Sequence, residues 1–499
     1  MCVNNSRDIL ADILSAADKY PYNEAIVING NHYSYKDLLD KAKGICKSFD
    51  DSKERIVGII AENKIETYAS ILATLISGRT YVILHPVYPK ERNQGIVQQT
   101  GLHIILHSDA YDSNFLDCPS VKWICTTCLT SSKDEKEWFA SDSKEYAYII
   151  FTSGSTGIPK GVPISRKNLN AFYKAYCNLG WNLDSHDRLL QMFELTFDLS
   201  VVSFLYPLTI GACEYTVGND MAKYLKVFDI LESEHITFAA LTASILQLFS
   251  PYFQDVSLPD LKYVGLTAEA TNADMVRKLS KSAPNALFVN LYGPTETTIY
   301  CTAYFLPKEG EIKGHNGTVA IGKPFDGMSA IIADDEGKEI TDGSQGELWV
   351  SGPQVMDGYW KNPEKTAEAI VKAPDGKVYY RTGDICYMDG ESDIIYCGRK
   401  DSQVKIQGFR IELGEIECAA RKFLNYECNA VAFAAPFDGL MELHLVIETD
   451  KCDTEALMNG LRHLLPDYMV PKTIHMLKPF PTNTNNKIDR KAIKEAYTK

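Results

Sequence analysis

No stretch of the chain approaches the roughly 18 consecutive apolar residues that a membrane span needs, so membrane insertion is not expected. The N-terminus, MCVNNSRDIL, lacks a basic segment followed by an apolar run. That argues against a secretory signal and for the cytoplasm. Basic residues are in deficit: 51 Lys and Arg against 65 Asp and Glu leave a net charge of −14. This balance disfavours sequence-independent binding to nucleic acid or to anionic lipid. An anionic nucleotide would have to be met by local loops and a few placed cations. The thirteen cysteines show no framework, and the close pair Cys125 and Cys128 has no second pair at zinc-ribbon spacing. Reduced thiols are the expectation. The rest is ordinary globular material, 45% hydrophobic and 23% charged over 499 residues, enough for two to four domains or one large domain with a satellite.

Short apolar, β-branched runs alternate with longer amphipathic stretches over most of the chain. RIVGII (55–60), YVIL (81–84), HIILH (103–107) and YAYIIFT (146–152) read as strands, and IETYASILATLISG (65–78) as a helix. ITFAAL (236–241), LKYVGL (261–266) and ALFVNLY (286–292) repeat the theme. Such alternation predicts an α/β fold with parallel sheets and helices between them. After about residue 310, short strands joined by Gly/Asp turns predict a small antiparallel or barrel-like part. A last block, with its own αβ pattern, predicts a small C-terminal α+β domain. The boundary is placed at GRKD, giving a large N-terminal domain over 1–397 and a small one over 398–499.

Several loops carry residues suited to chemistry. FTSGSTGIPKG (151–161) sets glycines, hydroxyls and Lys160 directly after an apolar strand, which suits a polyphosphate. It is not a Walker loop, because KGVPIS reads as a second strand and no helix start follows. A mobile surface loop has the same composition. In NLYGPTETT (290–298), Tyr292 can stack on a base and Glu296 can offer magnesium an oxygen ligand. A strand followed by a Gly-Pro turn is the plainer reading. Asp198 interrupts the apolar run FDLSVVSF, either as a helix N-cap or as a counter-charge for a substrate ammonium group. Asp384 in YRTGD is either a plain turn aspartate or an acceptor for two ribose hydroxyls. GRKDSQVKIQGFRIELGEIE (398–417) is a charged connector that carries Arg399 and Lys405 and turns at Gly408. Lys487 lies in a loop rich in Pro, Asn and Thr, twelve residues from the end, where a disordered tail is the alternative.

Taken together, TSGSTGIPKG, YGPTE, GELWVSG, YRTGD, GRKDSQVKIQG and NKIDR resemble the adenylate-forming superfamily of acyl-CoA synthetases, luciferases and peptide-synthetase adenylation domains. The segments occur in that superfamily's order over nearly the whole chain. FDLS resembles the amino-acid-activating members, among them D-alanine–carrier protein ligases and free-standing peptide-synthetase adenylation domains. The resemblance implies a large domain binding ATP and the amino acid, and a small C-terminal lid. It implies that Thr152, Ser153, Gly154, Ser155, Thr156, Gly157 and Lys160 close over the β- and γ-phosphates. Asn290, Leu291, Tyr292, Gly293, Pro294 and Thr295 would flank the adenine, and Glu296 would hold Mg2+. Asp384 would take the ribose hydroxyls, with Tyr396 and Arg399 nearby. Lys487 would bridge the substrate carboxylate and the α-phosphate, and Asp401 sits where the hinge of the lid lies. The acceptor would be the phosphopantetheine thiol of a carrier protein, expected to be separate because the chain ends soon after Lys487.

The resemblance also aligns a side-chain pocket: Asp198 for the ammonium group, then Leu199, Val202, Ala240, Gly265, Thr267, Leu291, Ile299 and Tyr300. This lining is apolar with one hydroxyl and one phenol. It suggests a neutral amino acid of small or medium size, D-alanine included. Two departures stand out. Thr267-Ala268-Glu269 replaces the usual Gly-Gly-Glu or Cys-Gly-Glu, and Asn485-Asn486 replaces Asn-Gly before the lysine. The rival expectations are a CoA ligase for a small carboxylic acid, against which Asp198 speaks, and a non-catalytic nucleotide-binding relative.

Overall fold

Alternating strand and helix build two parallel layers that share a core. The computed structural model describes residues 8–49, 52–108, 116–129, 145–154, 158–218, 223–401, 403–437, 440–482 and 488–498. A six-stranded sheet runs in the order Lys122–Cys125, Ile104–His107, Ile56–Ile60, Thr80–Leu84, Tyr146–Thr152, Lys160–Ser165. All its neighbours are parallel except the last pair. The antiparallel return at Lys160–Ser165 accounts for the absence of a Walker-type helix after the glycine-rich loop. A nine-stranded sheet is parallel through its centre, from Leu287–Tyr292 across Tyr263–Thr267, Phe238–Thr242, Arg188–Gln191 and Cys213–Thr216 to Glu24–Ile28. The helix Ile65–Ile76 buries every residue except Glu66 and packs on the helix Tyr35–Phe49. A helix apolar on all faces is stable only inside such a core.

The segment after residue 310 forms a five-stranded antiparallel sheet of Ser329–Ala333, Gly346–Ser351, Val378–Met388, Ile370–Lys372 and Ile394–Arg399. Beyond it, the hairpin Gln403–Ile406 and Phe409–Glu412 leads into the helix Leu413–Phe423. That helix and Thr454–Leu464 cover a three-stranded sheet, and Ile411, Ile416, Ala420, Leu445, Leu457 and Leu461 form a hydrophobic cluster of their own. Among the described residues, no helix is long and apolar enough to cross a membrane.

One core residue breaks the polar rules. Glu214, on the strand Cys213–Thr216, has no exposure, and neither carboxylate oxygen has a hydrogen-bond partner. Burial pushes its carboxyl well above the ordinary range. The folded chain therefore retains a proton that the unfolded chain releases, so stability is fullest below the unfolded value and falls as pH rises above it. Glu214→Gln keeps the shape and removes the titration. The expected result is a gain of about 1–3 kcal/mol in unfolding free energy at pH 8 and little change at pH 4. Urea denaturation at the two pH values measures this, and an equal effect at both would count against it.

Candidate active site

A cleft with about 930 Å³ of empty space opens at the carboxyl ends of the parallel strands. This is where open α/β sheets hold ligands, because the loops leaving each strand converge there. The strand Tyr263–Thr267 delivers Thr267 to Ala270, and Leu287–Tyr292 delivers Asn290 to Thr295. The turn at Gly293 is tight: a Cβ there would lie 2.5 Å from the Ile299 carbonyl oxygen, so only glycine fits. The Asn290 amide donates to the Ala320 carbonyl at 2.8 Å and fixes the segment 318–321 as another wall. Asp384, Tyr396 and Arg399 enter from the antiparallel sheet, and Gln403, Lys405, Gly408 and Arg410 from the hairpin.

Asp198 sits at the N-cap position of the helix Leu199–Ile210, yet its side chain makes no capping bond. One of its oxygens is buried without a partner. Burial, with Glu296 close by, pushes this carboxyl up to about 7, against the pull of the Thr295 hydroxyl and the Ile299 amide. A half-satisfied carboxylate facing a cleft suits a ligand donor better than a helix end.

Glu296 is the electrostatic opposite. It is wholly buried, but both oxygens are engaged: the Tyr359 hydroxyl donates to one at 2.8 Å and the Arg410 guanidinium to the other at 2.7 Å. Burial raises the carboxyl, but Arg410 and Lys160 outweigh it and hold it near 2. With a guanidinium already in place, a divalent ion at Glu296 would have to share or displace Arg410 in this arrangement.

The hairpin holds the rest of this end in the same way. Ser153 Oγ donates to the Arg410 carbonyl at 2.9 Å, and the Gly154 amide donates to Glu415 at 3.2 Å. Lys160 Nζ lies 3.8 Å from Glu412, and burial lowers the pKa of its ammonium group. The Thr152 hydroxyl is buried without a partner. Ser155, Thr156, Gly157, Asn485, Asn486 and Lys487 lie outside the described residues.

At the other end, Tyr292 donates its phenol hydrogen to Asp384, whose second oxygen accepts from Arg399 at 2.9 Å. The Lys405 ammonium lies 5.7 Å from the centre of the Tyr292 ring. Arg399 also grips Asp401 through two bonds of 3.0 and 2.6 Å, tying that residue to the antiparallel sheet. Of the eight expected pocket residues, Leu199, Thr267 and Leu291 line the cleft. Val202, Ala240 and Tyr300 line a separate inner cavity. Gly265 and Ile299 border neither.

Sequence reasoning passed over Arg410, Tyr359 and Glu269 as site residues. Glu269 accepts from Ser244 N at 2.6 Å, Ser244 Oγ at 2.8 Å and Gly408 N at 2.8 Å, so it anchors the hairpin tip. Ala268 adopts φ +67°, a left-handed backbone that costs an L-residue energy and suits glycine. That conformation accounts for the usual glycine at this position in the resembling sequences. Glu269 carried a signal in its motif, whereas Arg410 meets Glu296 only because two distant segments dock.

A family profile described as "AMP-binding enzyme" matches residues 14–360, more than half of the chain. The zwittermicin A synthase ZmaJ of Bacillus cereus is 30% identical over 487 residues, covering 95% of this chain and 92% of that protein. Bacitracin synthase 3 of Bacillus licheniformis is 31% identical over 497 residues, 96% of this chain. The chain spans only 8% of that synthase. In structure, the adenylation domain AlmE of Vibrio cholerae, solved with glycyl-adenosine-5'-phosphate, superposes with a TM-score of 0.86. The match is 24% identical and covers 99% of this chain and 98% of that one, which establishes the fold. The chain belongs to the AMP-binding enzyme family. It is an AMP-forming acid ligase of the adenylation-domain type, activating an amino acid or other carboxylate with ATP.

Proposed function

We propose that the chain activates an amino acid as its aminoacyl-adenylate and passes the aminoacyl group to the phosphopantetheine thiol of a carrier protein. The observation that carries this reading is Asp198: a buried carboxylate, one oxygen unpartnered, on the cleft wall. It supplies the counter-charge an ammonium group needs on leaving water. A fatty or aryl acid has no use for it.

In the first step the substrate carboxylate attacks the α-phosphorus and pyrophosphate leaves. The carboxylate is ionised at neutral pH, so no general base is required. Catalysis is then positioning and charge stabilisation. Thr152 to Lys160 receive the terminal phosphates, Asn290 to Thr295 flank the adenine, and Asp384 with Tyr396 and Arg399 meets the ribose. Lys487 offsets the repulsion between the two anions. In the second step the thiol attacks the adenylate carbonyl and AMP leaves. Residues 398–499 act as the lid on 1–397, turning about Asp401. The hairpin contacts to Glu269, Glu296 and Ser153 suit this second step. Glu296 becomes available to Mg2+ with Arg410 withdrawn. ATP–pyrophosphate exchange with D- and L-amino acids and their deaminated analogues tests the reading. Amino-acid-dependent exchange supports it. Exchange with the deaminated acids alone overturns it in favour of a CoA ligase.

A further inference from the structure

The hairpin contacts to Ser153, Gly154, Lys160, Glu269 and Glu296 all fall on groups of the cleft or of the proposed nucleotide site. One further contact does not. Arg92 Nη1 donates to Glu415 Oε1 at 2.6 Å. Arg92 stands in the first turn of the helix Lys90–Thr100 and lies off the cleft. Glu415 stands in the first turn of Leu413–Phe423, directly after the hairpin. Both side chains are buried. The second oxygen of Glu415 accepts from the Gly154 amide at 3.2 Å, so one carboxylate joins Arg92 to the glycine-rich loop. Aromatic rings enclose the pair. Tyr468 stacks on Phe409 with centroids 4.1 Å apart and meets Tyr88 edge-on at 6.2 Å. The Arg92 guanidinium lies 5.8 Å from the centre of the Tyr88 ring.

A buried carboxylate needs its counter-charge. Away from this seat Glu415 returns to water and has no such need. Loss of Arg92 therefore penalises the docked arrangement alone. Gly154 belongs to the loop proposed above for the terminal phosphates, so the seat that Arg92 secures is one that ATP requires. We infer that Arg92 is a positioning residue for the transfer step: through Glu415 it holds the hairpin against the glycine-rich loop, and so opposes ATP binding without touching the nucleotide. This inference rests on the two-step reading proposed above.

The test compares the full chain with Arg92→Leu, Arg92→Lys and Glu415→Gln in two measurements. One is calorimetric binding of ATP with Mg2+ and no amino acid. The other is transfer to phosphopantetheine from pre-made adenylate of the amino acid best used in pyrophosphate exchange. Arg92→Leu is expected to lower the apparent dissociation constant of ATP by about 5- to 150-fold, the usual span of coupling between two sites. It should slow transfer by about tenfold or more, because the docked state then carries an unpaired buried carboxylate. Arg92→Lys keeps the charge but loses the planar fork, and shifts both quantities less. Glu415→Gln shifts both in the same directions as Arg92→Leu. It decides the matter if the leucine variant does not fold, as a thermal melt would show. The opposed signs are diagnostic, since general damage weakens ATP binding and transfer together. A dissociation constant for ATP that stays or rises in a folded variant overturns the inference, and so does unchanged transfer. The ATP measurement needs neither amino acid nor thiol. A failure of the amino-acid reading therefore appears in pyrophosphate exchange and leaves the role of Arg92 to be judged separately.

Discussion

Asp198→Asn is expected to lower kcat/KM for the amino acid by about 10²–10⁴ in pyrophosphate exchange. That range corresponds to the roughly 3–5 kcal/mol lost when one partner of a buried charge pair is removed. The side chain keeps its shape, so the helix Leu199–Ile210, which takes no capping bond from it, should stay in place. ATP binding measured alone should change little. The wild-type pH profile gives a second, sharper check. The free carboxyl titrates near 7, and only its ionised form attracts an ammonium group. Since kcat/KM reports the free enzyme, it should fall about tenfold for each pH unit below 7 and level off above. The asparagine variant should lose that limb. A variant that keeps it would remove Asp198 from the role.

Lys487→Ala is expected to cost about 10²–10³ in adenylate formation, the usual loss for one donor to a charged transition state, and to spare transfer from pre-made adenylate. The neighbouring Ile488 packs with Val431, Phe433, Val446, Phe480 and Ile493, and pairs with Thr482. None of these residues lines the cleft. In this arrangement the hairpin faces the cleft, so lysine and hairpin are expected to take turns there. Asp401→Pro, which disturbs the hinge and its two bonds to Arg399, should impair chiefly the transfer. Rapid-quench measurement of the two half-reactions separates these effects. Equal loss of both in the lysine variant would refute the division of labour.

The sequence was most legible where chemistry and local structure coincide. The short apolar runs before Thr152, Thr267 and Tyr292 announced strands, and the loops after them converge because parallel strands end on one side. Asp198 stood out as a charge in an apolar run, but spacing alone favours the helix cap, whereas the structure shows the N-cap position without a capping bond and one oxygen free. What could not be read was contact between distant segments. Arg410 looks like an ordinary strand residue until Glu296, 114 positions away, accepts its hydrogen bond. Likewise, Leu291 and Tyr300 aligned to one pocket, yet Leu291 borders the cleft and Tyr300 a separate cavity.

Arg410, Glu412 and Glu415 stand where the roles proposed for Ser153, Gly154, Lys160 and Glu296 would put the terminal phosphates and their metal. Triphosphate and docked hairpin are then rivals for one set of groups. The apparent dissociation constant of ATP then equals its intrinsic value divided by the fraction of time the hairpin spends undocked. AMP and the adenylate lack the two outer phosphates and escape that competition. Product and intermediate can therefore remain bound in the conformation from which ATP is shut out, which gives the reaction sequence a direction.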